Sequence, residues 1–290
     1  MQHERWKQWG EKQSNRNKMT SGHPRMESGM ILAIDAGNTN VVAACMEHDT
    51  VVYGKRYETG KMEADTYHER MLGAFIDEVK QKEGTEQIPT IEGAVIASVV
   101  PSINGALRRA VKHCVGWEPL FVSAKLDTGL DIRYDVPEKL GADLIAGACG
   151  AVHKFGCPVI VIDIGTATTF AVVDAQGAYL GGVICPGPYT ALKGLTDLAS
   201  QLPEEKLEVT DEIIGTNTIS CMRIGAFTGH AAMIDGMIDR ITEQMGEETV
   251  RLVATGGPAK EITALCRHQM EYDRDLVLYG LSRLFFRNRV

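Results

Sequence analysis

Residues Pro158 to Gly182 read PVIVIDIGTATTFAVVDAQGAYLGG, and the architecture of the whole chain can be inferred from them. Residues 159–162 form a short apolar run of β-branched side chains, which predicts a buried strand. Asp163 stands at the end of that strand, a turn of small residues follows, and Phe170 to Val173 predicts a second strand. Small residues with free N–H groups and hydroxyls beside one carboxylate favour a loop that binds phosphate together with a cation.

The same pattern occurs once earlier in the chain. Residues 31–34 are apolar, Asp35 ends the run, the turn contains Gly37, Asn38 and Thr39, and residues 41–45 predict the next strand. Two copies of strand, Asp-x-Gly turn and strand predict two similar half-structures that face one ligand.

Length and composition are typical of a globular protein. The chain has 290 residues, of which 44% are hydrophobic and 23% charged, enough for two medium-sized domains. A net charge of −8 argues against nucleic-acid binding, which needs a basic face. No apolar run approaches the ~18 residues of a membrane helix. The seven scattered cysteines, without a Cys-x-x-Cys pair, predict reduced thiols in a cytoplasmic protein and no zinc site.

The domain organisation is predicted from a change in composition and from the repeat. Residues 1–29 are polar and lack a cleavage signature, so we predict a disordered N-terminal extension; a basic docking arm is the alternative. The first domain is predicted over residues 30–140, with the element order βββαβαβ. The second domain is predicted over residues 141–290.

Three stretches of the second half carry small residues. Residues 140–154 predict a helix whose glycines and alanines favour close packing or close approach to a ligand. Residues 181–188 predict a loop rich in glycine and proline. The long helical region Thr218 to Met245 carries small residues at regular spacing, which favour either an interface between helices or internal packing: Gly225, Gly229, Ala232 and Gly236.

A third motif is the stretch LVATGGPAK at Leu252 to Lys260, which predicts a strand, a glycine turn and a helix. The pair Gly256-Gly257 would let the backbone approach a flat group such as adenosine, or would simply form the turn. The two phosphate motifs and this third motif, in this order, resemble the actin, sugar-kinase and Hsp70 superfamily. That resemblance implies an α/β fold of two ribonuclease H-like (actin-like ATPase) domains with a nucleotide cleft between them.

Within that superfamily, the chain from Met30 onward resembles type III pantothenate kinase. The resemblance rests on an ordered set of motifs: residues 35–40 (DAGNTN), 98–101 (SVVP), 141–143 (GAD), 163–169 (DIGTATT), 179–182 (YLGG), 186–187 (PG), 215–218 (GTNT) and the closing segment 276–288. It implies a homodimeric enzyme that transfers the γ-phosphoryl group of ATP to pantothenate, the first step of coenzyme A biosynthesis.

The resemblance also implies roles for individual residues. The ATP phosphates and Mg²⁺ would be held by the first turn, that is by Asp35, Ala36, Gly37, Asn38, Thr39, Asn40, Val41 and Val42. Thr166 would contact ATP, Gly256 and Gly257 would lie at the adenosine, and Asp163 would bind a monovalent cation, K⁺ or NH₄⁺. Asp143 would be the catalytic base beside Asp35, in a substrate pocket lined by Tyr134, Gly141, Ala142, Leu144 and Thr218, with Thr218 contributed by a partner subunit.

Elementary chemistry agrees with these roles, because phosphoryl transfer needs in-line positioning, a cation and a carboxylate at the attacking hydroxyl. Each aspartate taken alone also fits a turn or a helix cap, and this alternative is strongest for Asp143.

Several positions depart from the family pattern. Leu144 occupies the position at which the family has an arginine, which is expected to hold the substrate carboxylate. Gly147 replaces the family's asparagine and Ala171 replaces its aspartate. Residues 220–225 read SCMRIG, where the family has Ser-Met-x-Ser-Gly. Arg223 could supply the missing charge. Two alternatives therefore stay open: a kinase of the same fold for another small hydroxylated acceptor, and a catalytically impaired nucleotide-binding regulator.

Overall fold

The computed structural model describes residues 29–59, 65–83, 90–199, 201–203 and 212–289, so the predicted N-terminal extension falls outside it apart from Gly29. The strands are β1 Met30–Ala36, β2 Asn40–Glu47, β3 Thr50–Glu58, β4 Ile91–Ser98, β5 Leu120–Phe121, β6 Asp131–Ile132, β7 Val159–Ile164, β8 Ala167–Val173, β9 Ala178–Pro186, β10 Arg251–Thr255 and β11 Glu271–Tyr272.

The helices are α1 Asp65–Glu83, α2 Pro101–Val115, α3 Ala142–Phe155, α4 Pro188–Leu198, α5 Thr218–Ile224, α6 His230–Met245, α7 Ala259–Thr263 and α8 Leu276–Arg287, with a 3₁₀ turn at Pro137–Lys139 and a π-helical segment at Gly225–Gly229. None of these helices is long and apolar enough to cross a membrane.

Two sheets repeat one topology. The first sheet has the order β3-β2-β1-β4-β5, and the second has β9-β8-β7-β10-β11 with β6 added beyond β9. In each, the first three strands are antiparallel, and the first strand then pairs in parallel with the fourth. The predicted repeat and the order βββαβαβ of the first half are therefore confirmed, and the chain has the two-sheet α/β architecture of actin-like ATPases.

The elements stack in layers around three apolar clusters. Helices α1 and α2 cover the outer face of the first sheet, and α6 and α7 cover the outer face of the second. Helices α3 and α8 lie between the sheets, in a central cluster that takes side chains from both, such as Ile31 of β1 and Val161 of β7. This shared core holds the two sheets in one arrangement.

The contact between α3 and α8 is a close crossing of two backbones. A Cβ atom added at Gly280 would come within 1.8 Å of the Ala146 carbonyl oxygen, and one added at Gly150 within 2.7 Å of the Leu276 carbonyl oxygen. The small residues predicted in α3 therefore serve close helix packing, one of the two uses that the sequence left open.

The predicted loop at residues 181–188 is wrong for most of its length, because residues up to Pro186 belong to strand β9. Gly181 has φ +133°, and the register of β9 against β8 shifts between Val172 and Val173. A Cβ atom at Gly182 would lie 1.8 Å from the Phe170 carbonyl oxygen. The glycines thus mark a bulge and a close approach within a strand, which composition alone does not distinguish from a loop.

Two features bear on the predicted domains, 30–140 and 141–290. Strand β6 pairs with β9 in the second sheet, although it lies before residue 140. Helix α8, at the end of the chain, packs against strands of the first sheet. The exact division of the chain therefore remains a prediction.

Because the α3–α8 crossing has no space for a side chain, we expect Gly280→Ala to lower the free energy of unfolding by about 2 kcal/mol or more. The matched control is Gly73→Ala in α1, where an added Cβ meets no atom within 4 Å. That control should be neutral or more stable by about 0.5 kcal/mol, from helix propensity. Urea unfolding of both variants tests this, and equal stabilities would contradict the proposed crossing.

Candidate active site

The two sequence repeats place Asp35 and Asp163 at equivalent positions. Each aspartate lies near the carboxyl end of the central strand of its sheet, β1 or β7. The turn after each is closed by a glycine amide: Gly37 N–H donates to the Asn40 carbonyl at 2.9 Å, and Gly165 N–H donates to the Ala167 carbonyl at 2.9 Å. We name these the first turn (residues 36–40) and the second turn (residues 164–167).

The two turns touch each other through side-chain hydroxyls. Thr39 Oγ1 lies 2.7 Å from Thr166 Oγ1, and both side chains are exposed. This contact brings a residue from each predicted phosphate motif to one point. The two motifs therefore face one site, as the repeat predicted.

Each turn is supported by the residue that follows the third strand of its sheet. Thr59, just after β3, donates its N–H to the Thr39 carbonyl at 2.9 Å and its hydroxyl to the Gly37 carbonyl at 2.6 Å. Gly187, just after β9, donates its N–H to the Thr166 carbonyl at 2.9 Å. Thr190 of α4 adds a second donor to that carbonyl, at 2.6 Å.

Asp143 comes to the same site from the beginning of α3. Gly141 is the N-cap of this helix, and Asp143 lies in its first turn, where its carboxylate accepts the Leu144 amide at 2.8 Å. A Cβ atom at Gly141 would lie 2.5 Å from Asp143 Oδ1, so Gly141 leaves room for the carboxylate. Asp143 is therefore not the N-cap of the helix, although its carboxylate does accept an amide of the first turn, and it also belongs to the cluster described next.

The three carboxylates are close enough to affect one another. Burial first, and then the charges of Asp143 and Asp163, raise the pKa of Asp35 to about 7, although the charge of Arg56 opposes them. Burial and the charge of Asp143 raise the pKa of Asp163 to about 6. Burial also raises the pKa of Asp143, against hydrogen bonds from backbone amides. Since the charge of Asp143 acts on both others, the three carboxyl groups titrate as one coupled set.

Arg56 is a site residue that the sequence reading missed. In the sheet register Asp35 lies opposite Val42, and Val42 lies opposite Arg56, so the three side chains share one face across neighbouring antiparallel strands. The charge of Arg56 lowers the pKa of both Asp35 and Asp163. Only the pairing of β2 with β3 reveals this position, because Arg56 is 21 residues from Asp35 in an otherwise ordinary strand.

The donor set suits a cation that is shared with phosphate. Among the described residues, no three His, Cys, Asp or Glu side chains converge on a single metal position. Mg²⁺ is commonly held by one or two carboxylates, with phosphate oxygens and water completing the octahedron. The mutual repulsion of Asp35, Asp143 and Asp163 would be relieved by such a cation, so the residues present fit a divalent metal bound together with a nucleotide.

Tyr179 lies near Asp143 and contacts a second tyrosine, Tyr134. Tyr134 and Tyr179 make an edge-on ring contact with centroids 6.5 Å apart. Burial raises the pKa of Tyr179, and the neighbouring Tyr134 and Asp143 raise it further. Tyr134, a predicted substrate residue, is therefore joined to the predicted base through Tyr179, which the sequence reading had noted only as part of a motif.

Gly256 and Gly257 differ in the space around them. Gly256 has φ +101°, and a Cβ atom there would lie 2.2 Å from the Ile164 carbonyl oxygen and 2.7 Å from Asp163 Oδ1, so this glycine packs directly on the second turn. A Cβ atom at Gly257 would meet no atom within 4 Å. The third motif is thus adjacent to the second phosphate motif, with Gly256 required by the turn and Gly257 open to a ligand.

The remaining predicted residues differ in exposure. Ala36, Val41 and Ala142 are buried, so their side chains serve the core and only their backbone groups can reach a nucleotide or substrate. Asn38 is exposed, and Asn40 and Val42 are partly buried. Leu144 packs against the central apolar cluster. Thr218 is exposed at the beginning of α5, and its expected role across a subunit interface remains a prediction.

Two ribonuclease H-like halves, with the first and second turns in contact beside three carboxylates, place the chain in the actin-like class of folds. A family model described as type III pantothenate kinase matches residues 31–240. The chain is 36% identical over 261 residues to the type III pantothenate kinase of Shouchella clausii (strain KSM-K16), which covers 90% of this chain and 100% of that protein. It is 35% identical over 268 residues to that of Koribacter versatilis (strain Ellin345), with coverage of 90% and 96%.

Among solved structures, a Baf family transcriptional activator from Campylobacter jejuni superposes with a TM-score of 0.55 at 18% identity, over 89% of this chain and 98% of that one. This likeness shows the fold alone. From the sequence matches, the chain belongs to the type III pantothenate kinase family and is a kinase.

The raised pKa of Asp35 predicts how stability depends on pH without ligands. A carboxyl group whose pKa rises from 3.8 to about 7 on folding stabilises the fold below about pH 4, and this contribution is lost as the pH rises through 7. Asp35→Asn should therefore raise the free energy of unfolding at pH 8 by at most about 4 kcal/mol, and the melting temperature with it, and leave both nearly unchanged at pH 4. Thermal unfolding without Mg²⁺ or nucleotide tests this.

The control for that measurement is Glu47→Gln, which removes an exposed carboxylate at the end of β2. It should change stability little at either pH. A loss of stability for Asp35→Asn at pH 8 would contradict the assigned cluster.

Proposed function

We propose that this chain transfers the γ-phosphoryl group of ATP to the hydroxyl group of pantothenate, the first step of coenzyme A biosynthesis, with Asp143 as the base. The observation that carries this proposal is the convergence of Asp143 with Asp35 and Asp163 beside the two phosphate turns. Membership of the type III pantothenate kinase family supplies the acceptor.

In this proposal each carboxylate has a different task. Asp143 comes from the beginning of α3, beside Tyr179 and outside both turns, so it is the carboxylate that would accept the proton of the acceptor hydroxyl. Asp35 and the first turn hold the phosphates and their divalent cation, which neutralises charge on the transferring group. Thr39 and Thr166 present hydroxyls from opposite sides, and Arg56 adds a positive charge near Asp35 and Asp163.

We assign the monovalent cation, K⁺ or NH₄⁺, to Asp163. Its carboxylate lies at the second turn and against Gly256, and its pKa is raised by burial and by the charge of Asp143, both of which a bound cation would offset. The adenosine of ATP is assigned to the open side of Gly257, and the reaction to the cytoplasm. These assignments rest on the geometry of the residues and on the family.

The acceptor side is assigned to Asp143, Tyr134 and the beginning of α3. Leu144 is packed in apolar surroundings and, unlike the arginine of the family, cannot hold a substrate carboxylate. A cationic side chain from elsewhere must therefore do so, and the candidate is Arg223 in the last turn of α5. This departure is the observation that favours the second candidate, a kinase of the same family fold for another small hydroxylated acceptor.

Asp143→Asn should abolish at least about 99% of pantothenate-dependent ADP release, because the hydroxyl loses its proton acceptor, while Mg²⁺–ATP binding is retained. The assay contains pantothenate, Mg²⁺ and K⁺ or NH₄⁺, and binding is followed by calorimetry. Glu138→Gln, an exposed carboxyl change in the 3₁₀ turn before α3, is the control and should keep full turnover.

Wild-type protein that binds Mg²⁺–ATP and releases no ADP with pantothenate would refute pantothenate as the acceptor. Full turnover by Asp143→Asn would refute Asp143 as the base.

We further propose that the enzyme is a homodimer. The small residues Gly225, Gly229 and Ala232 are exposed, and a Cβ atom at Gly225 or Gly236 would meet no atom within 4 Å, so internal packing does not use this stripe. Large apolar side chains are exposed in the same half of the chain, including Leu198 at 90%, Ile214 at 83% and Ile184 at 72%. Exposed apolar surface of this kind favours a protein partner, and the small-residue stripe would let a second α5–α6 region approach closely.

Ala232→Arg should convert the dimer to a monomer at micromolar concentration, because it places a long charged side chain in the stripe. Light scattering coupled to size exclusion measures the mass. Ala74→Arg, the same change at an exposed alanine of α1, should leave the dimer intact. A monomeric wild type would refute the dimer.

A further inference from the structure

The buried pair Thr168 and His230 joins the second phosphate turn to the outward helical region. Thr168 Oγ1 lies 2.8 Å from His230 Nε2, and both side chains are buried, Thr168 completely. Burial lowers the pKa of His230, so the ring is neutral at physiological pH, and the hydrogen bond joins two uncharged groups in either tautomer.

Thr168 lies close to the second turn in the sequence, and His230 lies where the π-helical segment ends. Thr168 is two residues from Thr166, whose hydroxyl meets Thr39 of the other half. His230 is the first residue of α6, directly after the π-helical segment. A π-helical segment widens a helix by one residue per turn and is frequently found at functional sites. Here it changes the direction of the side chains that follow, and His230 is the first of them.

The π-helical segment contacts the second turn region at a further point. Phe227 of that segment lies in one apolar cluster with Ile164, the first residue of the second turn, and with Phe170, three residues after the turn. The hydroxyl of Thr190 in helix α4 donates a hydrogen bond to the Thr166 carbonyl, and α4 also packs against the π-helical segment. The second turn is therefore held by α4 and the π-helical segment, both of which also have exposed residues, such as Leu195 and Gly225.

We propose that Thr168 and His230 are a positioning pair for phosphoryl transfer, whose buried hydrogen bond fixes the second turn, and with it Thr166, against the α5–α6 helical region. This inference rests on the proposed kinase function for its effect on turnover. The pair does not touch the reacting atoms. The pair fixes the position of the second turn, which is the part proposed to touch the reacting atoms. It also connects that turn to the surface assigned to a second subunit.

A purely structural role is the competing explanation, because a broken buried hydrogen bond always costs stability. The experiment therefore compares two buried hydroxyls. Thr168→Val keeps the shape and removes the hydroxyl next to the second turn. Ser282→Ala removes a fully buried hydroxyl on α8 that donates to the His48 carbonyl, at the β2–β3 turn and at the opposite end of β1 from Asp35.

We expect both variants to lose stability, and only Thr168→Val to lose kcat, by about tenfold or more, since small displacements of positioning groups slow transfer strongly. Thr168→Ser should restore kcat to within about threefold. His230→Phe should match Thr168→Val, and the double variant should be no slower than either single variant, as expected for one shared interaction.

A second readout does not depend on turnover. Amide hydrogen exchange over residues 163–170 should quicken in Thr168→Val and stay unchanged in Ser282→Ala, because the turn loses an anchor only in the first. Faster exchange with weaker Mg²⁺–ATP binding in a protein that cannot phosphorylate pantothenate would support the positioning pair and refute the acceptor. Unchanged exchange, or equal kcat for Thr168→Val and Ser282→Ala, would overturn the proposal.

Discussion

The crossing of α3 and α8 is the contact on which the geometry of the site depends. Two helix backbones touch where Gly280 faces Ala146 and Gly150 faces Leu276, and neither glycine position has space for a side chain. Because both helices lie between the sheets, their separation sets the distance from β1 to β7, and so from Asp35 to Asp163. The same helix α3 carries Asp143 at its first turn. One packing contact, a single helical turn from Asp143, thus affects how closely the three carboxylates approach.

That approach has an energetic consequence. Partly buried carboxylates that repel one another destabilise the folded chain at neutral pH, and the raised pKa values of Asp35 and Asp163 express this cost. A bound cation offsets this repulsion. The unfavourable electrostatics of the free site therefore strengthen the binding of the metal and the nucleotide. Arg56 relieves part of the repulsion permanently. The site therefore combines a fixed positive charge with room for exchangeable ones, as phosphoryl transfer requires.

Most of the fold could be predicted from sequence because it follows from local signals. Apolar runs that end in Asp-x-Gly turns gave both central strands, and their repetition gave two sheets of one topology. Strand β9 was missed because the glycines at 181 and 182, which form a bulge and a close backbone contact, have the composition of a loop. Arg56 and Tyr179 could not be predicted as site residues, since cross-strand register or tertiary packing brings each to the site, and the contact of His230 with Thr168 is likewise visible only in the packed structure. The aspartates were identifiable only because motifs mark them.

The two halves of the duplicated fold begin alike and then diverge, and the divergence bears on how the site is controlled. In both halves, the residue after the third strand donates its amide to a threonine of the phosphate turn: Thr59 to Thr39, and Gly187 to Thr166. Beyond Thr59, the first half continues to α1, which packs over its own sheet. Beyond Gly187, α4 exposes Tyr189, Leu195 and Leu198 instead. Duplication alone therefore accounts for two matched turns, whereas the second turn depends on elements with an uncovered apolar face. If a second copy of the chain covers that face, as the proposed homodimer requires, it would act on the second turn through α4 and leave the first turn unchanged.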